Sequence, residues 1–68
     1  MNDLLEKAKN NYFNEIDSEE TFKMFNEVLE KTGDNEAKFY LGEMYYLAIG
    51  TEQNLKKAFE YMKELAKK

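Results

Sequence analysis

Apolar residues recur at three- and four-residue spacing along most of the chain, which is the period of an α-helix with one buried face. Four segments show this pattern, and the connections between them are short, so consecutive helices should lie antiparallel. The sequence therefore predicts an all-α fold of four antiparallel helices arranged as two helical hairpins. The predicted helices are about 3–15, a segment from Asp17 or Ser18 to Lys31–Gly33, 35–48 and about 54–67.

Residues that favour helix ends lie between these segments. Gly33 and Gly50 are placed to end the second and third helices, because glycine tolerates the left-handed conformation that follows many helices. Short polar side chains can accept a hydrogen bond from the first turn of the helix that follows them. The predicted N-terminal caps are Asp17 or Ser18, Asp34 or Asn35, and Asn54.

Gly42 lies inside the third predicted helix, where glycine costs about 1 kcal/mol relative to alanine. A glycine at such a position indicates a second helix that comes too close for a side chain. Ala58 is the small residue that the fourth helix offers there, so we predict that these two helices cross at Gly42 and Ala58. The predicted core comprises Leu5, Ala8, Tyr12, Phe22, Phe25, Val28, Leu41, Gly42, Tyr45, Ala58, Phe59, Met62 and Leu65.

The two halves of the chain align with each other, as an internal repeat should. A shift of 33 residues aligns the first helix with the third, and a shift of 37 aligns the second with the fourth. The difference is a four-residue insertion near 51–54. The aligned pairs are Leu4 with Ala37, Ala8 with Leu41, Tyr12 with Tyr45, Ile16 with Ile49, Thr21 with Ala58, Phe22 with Phe59, Phe25 with Met62 and Val28 with Leu65.

One run of residues has the order and spacing of a known repeat. It reads Ala37-Lys-Phe-Tyr-Leu41-Gly42-Glu-Met44-Tyr45, followed by Gly50, Asn54, Lys57-Ala58 and Tyr61. This run resembles a Sel1-like repeat, whose pattern is A-x-x-x-L-G-x-M-Y, a glycine-rich turn, then G-x-x-x-D-x-x-K-A-x-x-[YW]. The chain departs from it at Ala48, where the turn usually has another glycine, and at Asn54, where the pattern has aspartate.

The resemblance implies an α/α repeat of the tetratricopeptide superfamily, whose members bind proteins or peptides and scaffold complexes. It divides a single domain, 1–68, into a degenerate tetratricopeptide-like repeat at 1–33 and a Sel1-like repeat at 34–68. Lys9 and Thr21 make the first repeat degenerate, because they stand where small residues usually let the helices approach. Two repeats are fewer than such a core usually needs, so the missing neighbour could be a second copy or another protein.

In this superfamily the first helix of each repeat lines a concave groove. Helix three carries Phe39, Tyr40, Tyr45 and Tyr46, more aromatic residues than one helix can bury on a single side. Either some of them face outward, where aromatic patches tend to be interaction sites, or they pack across the core of the two repeats. Glu6 stands where a carboxylate-binding groove would have a lysine, so the expected ligand is an apolar or basic segment flanked by Glu6 and Glu43. The implied groove residues are Glu6, Asn10, Phe13, Asn14, Phe39, Tyr40, Glu43, Tyr46 and Leu47.

Composition narrows the function further. The net charge is −4 and arginine is absent, which argues against nucleic-acid binding. The chain has no cysteine and no histidine, the side chains most used as nucleophile, general base and metal ligand. Carboxylate pairs such as Glu19–Glu20 and Glu27 with Glu30 have the spacing of exposed helix faces. We therefore predict a protein that is not an enzyme and needs no cofactor or metal.

Two other functions fit the same sequence. Residues 1–50 hold eleven acidic residues and five lysines, whereas residues 51–68 hold three acidic residues and five lysines. The acidic part of one copy could therefore contact the basic last helix of another, which would give a homodimer or a larger assembly. The basic last helix could instead simply complement its own dipole. The second alternative is a small acidic inhibitor or immunity-type protein that covers a basic site on a target. The chain shows no signal peptide and no apolar stretch of about 20 residues, which predicts a cytoplasmic protein.

Overall fold

A computed structural model describes residues 3–67, and within this range the chain forms α-helices and no β-strand. The predicted all-α fold is confirmed. Helix α2 packs against both α1 and α3, and α3 packs against α4. The helices are α1 Asp3–Phe13, α2 Ser18–Thr32, α3 Asn35–Leu47 and α4 Leu55–Ala66. None of these helices is long and apolar enough to cross a membrane.

The predicted caps begin three of the helices. The side chains of Asp17, Asp34 and Asn54 accept backbone N–H hydrogen bonds of 3.2, 2.8 and 3.0 Å from the helix that each precedes. Gly33 ends α2 as predicted, with φ at +66° and its N–H donating to a carbonyl of the last turn. These helix ends are therefore fixed by local sequence, as the capping rules describe.

The predicted end of α1 is wrong by two residues. The helix stops at Phe13, and Glu15 adopts a left-handed conformation with φ at +55°. The N–H of Ile16 then donates to the carbonyl of Asn11 at 2.9 Å, which closes the last turn. Ile16, which the internal alignment pairs with Ile49, therefore lies beyond α1, and its side chain is exposed.

The end of α3 also differs from the prediction. The helix ends at Leu47, and Ala48 rather than Gly50 takes the left-handed capping conformation, with its N–H donating to the carbonyl of Met44. Gly50 has φ at +74° and its backbone lies against Ser18, so that an added Cβ would come 2.7 Å from the Ser18 carbonyl carbon. Glycine is required there because two turns meet, not because a helix ends.

The core lies where α1, α2 and α3 converge. Most of its predicted members are buried, and Tyr12, Phe22, Tyr45, Met62 and Leu65 are half-buried. Met24, Ala37 and Met44 are buried apolar residues that were absent from the predicted core. The buried apolar residues are Leu5, Ala8, Met24, Phe25, Val28, Ala37, Leu41, Met44 and Ala58.

Phe59 was predicted to lie in the core, and that prediction is wrong: its side chain is 58% exposed. Helix α4 has two apolar faces. Ala58 and Tyr61 face Gly42 of α3, whereas Phe59 lies one residue further round the helix. The apolar periodicity of α4 was therefore correct as evidence for a helix, but it did not show which apolar face meets α3.

The predicted crossing of α3 and α4 is confirmed at Gly42. A Cβ added there would lie 2.8 Å from Cε of Met62, 3.5 Å from Cβ of Tyr61 and 3.6 Å from the carbonyl oxygen of Ala58. Gly42 itself is buried. The two helices thus pack with almost no side-chain volume between their backbones at this point.

Gly42→Leu is expected to destabilise the fold by about 1–3 kcal/mol, because a branched side chain must displace both Tyr61 and the α4 backbone. Such a loss lowers the melting temperature of a domain this small by several degrees per kcal/mol. Thermal unfolding followed by circular dichroism measures it. Gly42→Ala is the matched control, and its melting temperature should stay near that of wild type. The one atom closer than 3.0 Å to its methyl group is Cε at the flexible end of Met62. Identical melting of the leucine variant and wild type would contradict the crossing.

Candidate concave binding face

Helices α1 and α3 contact each other, and we call the surface that they share the concave face, after the groove that the family resemblance implies. Two polar contacts join them. Lys9 Nζ lies 3.1 Å from a carboxylate oxygen of Glu36, and the hydroxyl of Tyr12 donates a 3.0 Å hydrogen bond to Glu43. The first helices of the two predicted hairpins are therefore neighbours, as the groove interpretation requires.

Aromatic rings form the floor of this face. Phe13 is 65% exposed and packs edge-on against Tyr40 at a centroid distance of 5.8 Å. Phe39, also exposed, packs edge-on against the other side of Tyr40 at 5.4 Å. Tyr40 is half-buried because its ring stacks on the buried Phe25 at 5.1 Å. The buried Phe25 thus packs beneath Tyr40, while the side chains of Phe13 and Phe39 are exposed to solvent.

The polar residues predicted on α1 are exposed. Asn14 donates to the side-chain oxygen of Asn10 at 3.1 Å and to its carbonyl at 2.8 Å. Glu6 lies 3.5 Å from Lys9 at the open side of the face. Asn10 and Asn14 therefore bind each other at the end of α1, while Glu6 belongs to the charged edge shared with α3.

The structure separates two of the predicted groove residues from the rest. A cavity of about 430 Å³ lies between α3 and α4, and Tyr46, Leu47 and Glu43 line it. The ring of Tyr46 contacts Phe59 of α4 at 6.4 Å. The predicted set thus divides into a concave face around Phe13, Phe39 and Tyr40 and a neighbouring α3–α4 groove, with Glu43 on the boundary.

Lys9 and Glu36 lie on this face and were absent from the predicted groove. Lys9 stands where the repeat usually has a small residue, and its ammonium lies between Glu6 and Glu36. The hydrogen bond that Lys9 donates to Glu36 raises the pKa of Lys9, since it stabilises the charged form. Lys9 pairs with Glu6 and Glu36, and Glu43 accepts from Tyr12, so the three carboxylates outnumber the one lysine among these contacts. No local sequence signal connects residues 9 and 36, which are 27 positions apart.

Burial, followed by the hydrogen bond to Glu43, raises the pKa of Tyr12 from 10.0 to about 12. A group whose pKa is higher in the folded state holds its proton more tightly there. Its contribution to stability is therefore complete below about pH 10 and is lost as the pH rises towards about 12. Within the folded state the hydrogen bond from Tyr12 to Glu43 breaks only when Tyr12 itself loses its proton, near pH 12.

We expect the free energy of unfolding, measured by urea titration, to fall between about pH 10 and about pH 12. Tyr12→Phe should cost about 1 kcal/mol at neutral pH by removing the hydrogen bond, and it should flatten this alkaline loss. Tyr46→Phe, which removes an exposed hydroxyl, is the control and should keep the wild-type pH dependence. An unchanged alkaline slope in Tyr12→Phe would contradict the assignment.

A further cavity of about 440 Å³ lies beside the concave face, where the α1–α2 and α3–α4 turns meet. Phe13, Met44 and Ile49 line it, with Glu15 and Ser18 at its edge. It continues the apolar surface of Phe13 towards the turns. Within residues 3–67, no group of three or more carboxylates could hold a metal ion. The concave face and its neighbouring cavities thus present exposed aromatic rings and carboxylates.

Comparison with known proteins gives a partial similarity. A protein of Acanthamoeba polyphaga mimivirus described as a sel1-like repeat-containing protein is 44% identical to this chain over 36 residues. The match covers 53% of this chain and only 6% of that protein's length. It supports a Sel1-like repeat in the aligned part of the chain. No protein-family model matches the chain. No solved structure matches it.

Proposed function

We propose that the protein is a small, non-enzymatic interaction module that binds an apolar or basic protein segment on the concave face. The observation that carries this proposal is the exposed aromatic floor of Phe13 and Phe39, supported from beneath by Tyr40. Exposed aromatic residues are enriched in the parts of protein surfaces that dominate binding energy. The partial similarity to a sel1-like repeat-containing protein supports the same class of function.

The charges around the floor define the chemistry of the ligand. Glu6, Glu36 and Glu43 border it, and Lys9 is already paired with two of them. A ligand with lysine or arginine near an apolar side chain would meet free carboxylate oxygens, whereas an acidic ligand would be repelled. We propose an amphipathic helix or extended peptide with basic residues beside its apolar anchors.

The inhibitor alternative uses the same acidic face but a folded target with a basic site. It differs from peptide binding in its dependence on salt, since a wide charged interface loses affinity steeply as ionic strength rises.

The expected cytoplasmic location stays a prediction.

A selection from a displayed library of random peptides tests this proposal. Enriched peptides should combine apolar and basic residues and bind wild type with measurable affinity by calorimetry. Glu6→Lys combined with Glu43→Gln should weaken that binding about tenfold or more, equivalent to about 1.4 kcal/mol. Glutamine at 43 keeps an acceptor for Tyr12, so that the contact between α1 and α3 is preserved.

The matched control is Glu19→Lys combined with Glu30→Gln, which makes the same charge change at exposed positions of α2. This control should bind the selected peptides as wild type does. Enrichment of acidic peptides would refute the proposed ligand chemistry, and so would equal binding by the concave-face variant.

A further inference from the structure

The α3–α4 groove is a second open surface that the concave face does not explain. Gly42, Tyr46, Leu47, Phe59 and Met62 line it, and its volume is about 430 Å³. Tyr46 is 51% exposed and Phe59 is 58% exposed. Two large, mostly exposed aromatic side chains therefore border an apolar groove whose base is the buried Gly42.

The first hairpin shows what covers the equivalent surface. Helix α3 contacts five residues there: Lys9 through Glu36, Tyr12 and Phe13 through Tyr40, Phe25 through Tyr40, and Phe22 through Tyr45. The internal alignment relates these five to residues of the second hairpin. The corresponding residues are Gly42, Tyr45, Tyr46, Met62 and Phe59.

Four of these five corresponding residues line the α3–α4 groove. In the first hairpin their counterparts bind a helix of the same chain. Within residues 3–67 no helix covers them in the second hairpin, since α4 is the last helix described. The groove therefore has the position and the side chains of a helix-binding surface.

Helix α4 also exposes an apolar stripe next to this groove. Its members recur at positions separated by four, three and four residues, the spacing of one helix face. Met62 is half-buried where it meets Gly42 of α3, and the other three members are exposed. The α4 stripe comprises Leu55, Phe59, Met62 and Ala66.

We propose that a second copy of this chain covers the groove, with the α4 stripes of the two copies packed against each other. Such an interface is two-fold symmetric, so each α4 both fills a groove and forms part of one. The charges fit this arrangement. Glu43 lines the groove, and α4 exposes Lys56 and Lys63 with Glu60 between them, so a lysine of one copy can meet Glu43 of the other.

Head-to-tail stacking of copies fits less well. It would place α1 of one copy in the groove of the next, in the way that α3 lies on the first hairpin. The α3 residues that make those contacts include Glu36 and Tyr40, and the internal alignment relates them to Asp3 and Lys7. Both are exposed and charged. The counterpart of Tyr45 is Tyr12, whose ring already packs against Phe25 and Tyr40 within the same copy. The α4 stripe offers an exposed aromatic side chain, Phe59.

Sedimentation equilibrium over a range of protein concentrations tests the proposal. Wild type should show a reversible monomer–dimer equilibrium. Phe59→Glu should raise the dimer dissociation constant at least about thirtyfold, because it places a carboxylate in the middle of an apolar contact. Phe13→Glu is the matched control, since it makes the same change at an exposed phenylalanine of the concave face, and it should dimerise as wild type does.

A strictly monomeric wild type would overturn the proposal, as would a dimer unaffected by Phe59→Glu or equally broken by Phe13→Glu. Circular dichroism of both variants confirms that each remains folded, as expected for substitutions at exposed positions. Peptide binding separates this proposal from the function of the concave face, because Phe13→Glu should abolish it and Phe59→Glu should leave it intact.

Cysteine cross-linking tests the direction of the two helices, because the natural chain contains no cysteine. Antiparallel α4 stripes place Phe59 of one copy near Met62 of the other. Mixing Phe59→Cys protein with Met62→Cys protein under mild oxidation should therefore give mainly the mixed disulfide dimer. Equal yields of the mixed and the two unmixed dimers would contradict a two-fold α4 contact.

Discussion

Phe25→Ala should remove most of the stability of the protein, a loss of about 3–5 kcal/mol. Phe25 is fully buried, and its ring contacts Tyr12 at 6.2 Å and Tyr40 at 5.1 Å. It therefore joins α1, α2 and α3, and alanine would leave a cavity at the point where they meet. Domains have about 0.05–0.15 kcal/mol of stability per residue, so a chain of this length has little beyond such a loss.

Urea unfolding monitored by circular dichroism measures this effect. Phe13→Ala is the matched control, because it removes the same side chain from a position that is 65% exposed. It should cost less than about 1 kcal/mol. Similar losses in the two variants would mean that the core does not converge on Phe25.

Gly50→Ala should give the second large effect. The residue has φ at +74°, and an added Cβ would come within 2.7 Å of the carbonyl carbon of Ser18 and 3.2 Å of the backbone nitrogen of Glu19. These are backbone atoms at the start of α2, which cannot rotate away as a side chain can. The substitution must therefore separate the α3–α4 turn from α2, and we expect a loss of about 2–4 kcal/mol.

Gly33→Ala separates the steric part of this loss from the conformational part. Gly33 has a similar φ of +66°, but an added Cβ would meet nothing within 4 Å. It should cost only the left-handed conformation of alanine, about 1–2 kcal/mol. Equal melting temperatures for the two variants would show that the turn does not pack closely against α2.

The helices of this fold were predictable because the determinants are local. Apolar periodicity located the four helices of the described residues. Asp17, Asp34 and Asn54 cap α2, α3 and α4 as their side-chain chemistry predicts. Gly42 indicated the crossing of α3 and α4, because a glycine in the middle of a helix costs stability and is favoured where a neighbouring helix leaves no room for a side chain. These features depend on residues within one or two turns of each other, or on the lack of a side chain.

The errors arose where packing over long sequence distances decides the outcome. Phe59 has the periodicity of a core residue, but α4 has two apolar faces and only contact with Gly42 decides which of them is buried. Ala48 adopts the left-handed conformation expected of Gly50, because the glycine is needed where the turn meets Ser18. Neither requirement is visible before the turns are placed side by side.

The candidate site was predictable in part for the same reason. Helical spacing and the family resemblance indicated that Phe13, Phe39 and Glu43 lie on the first helices of the two hairpins. The structure places Tyr46 in the α3–α4 groove instead, against Phe59. The ion pair of Lys9 with Glu36 depends on how closely α1 approaches α3, which spacing within one helix cannot reveal.

The proposed function depends on ligands binding the concave face formed by α1 and α3. Amide chemical-shift mapping by NMR, with a peptide selected on the wild-type protein, tests this dependence most directly. We expect the largest changes near Phe13, Phe39 and Glu43, with little change at exposed α2 positions such as Glu27. Chemical-shift changes concentrated on α2 would contradict binding at this face. So would changes near Phe59 without changes on the concave face.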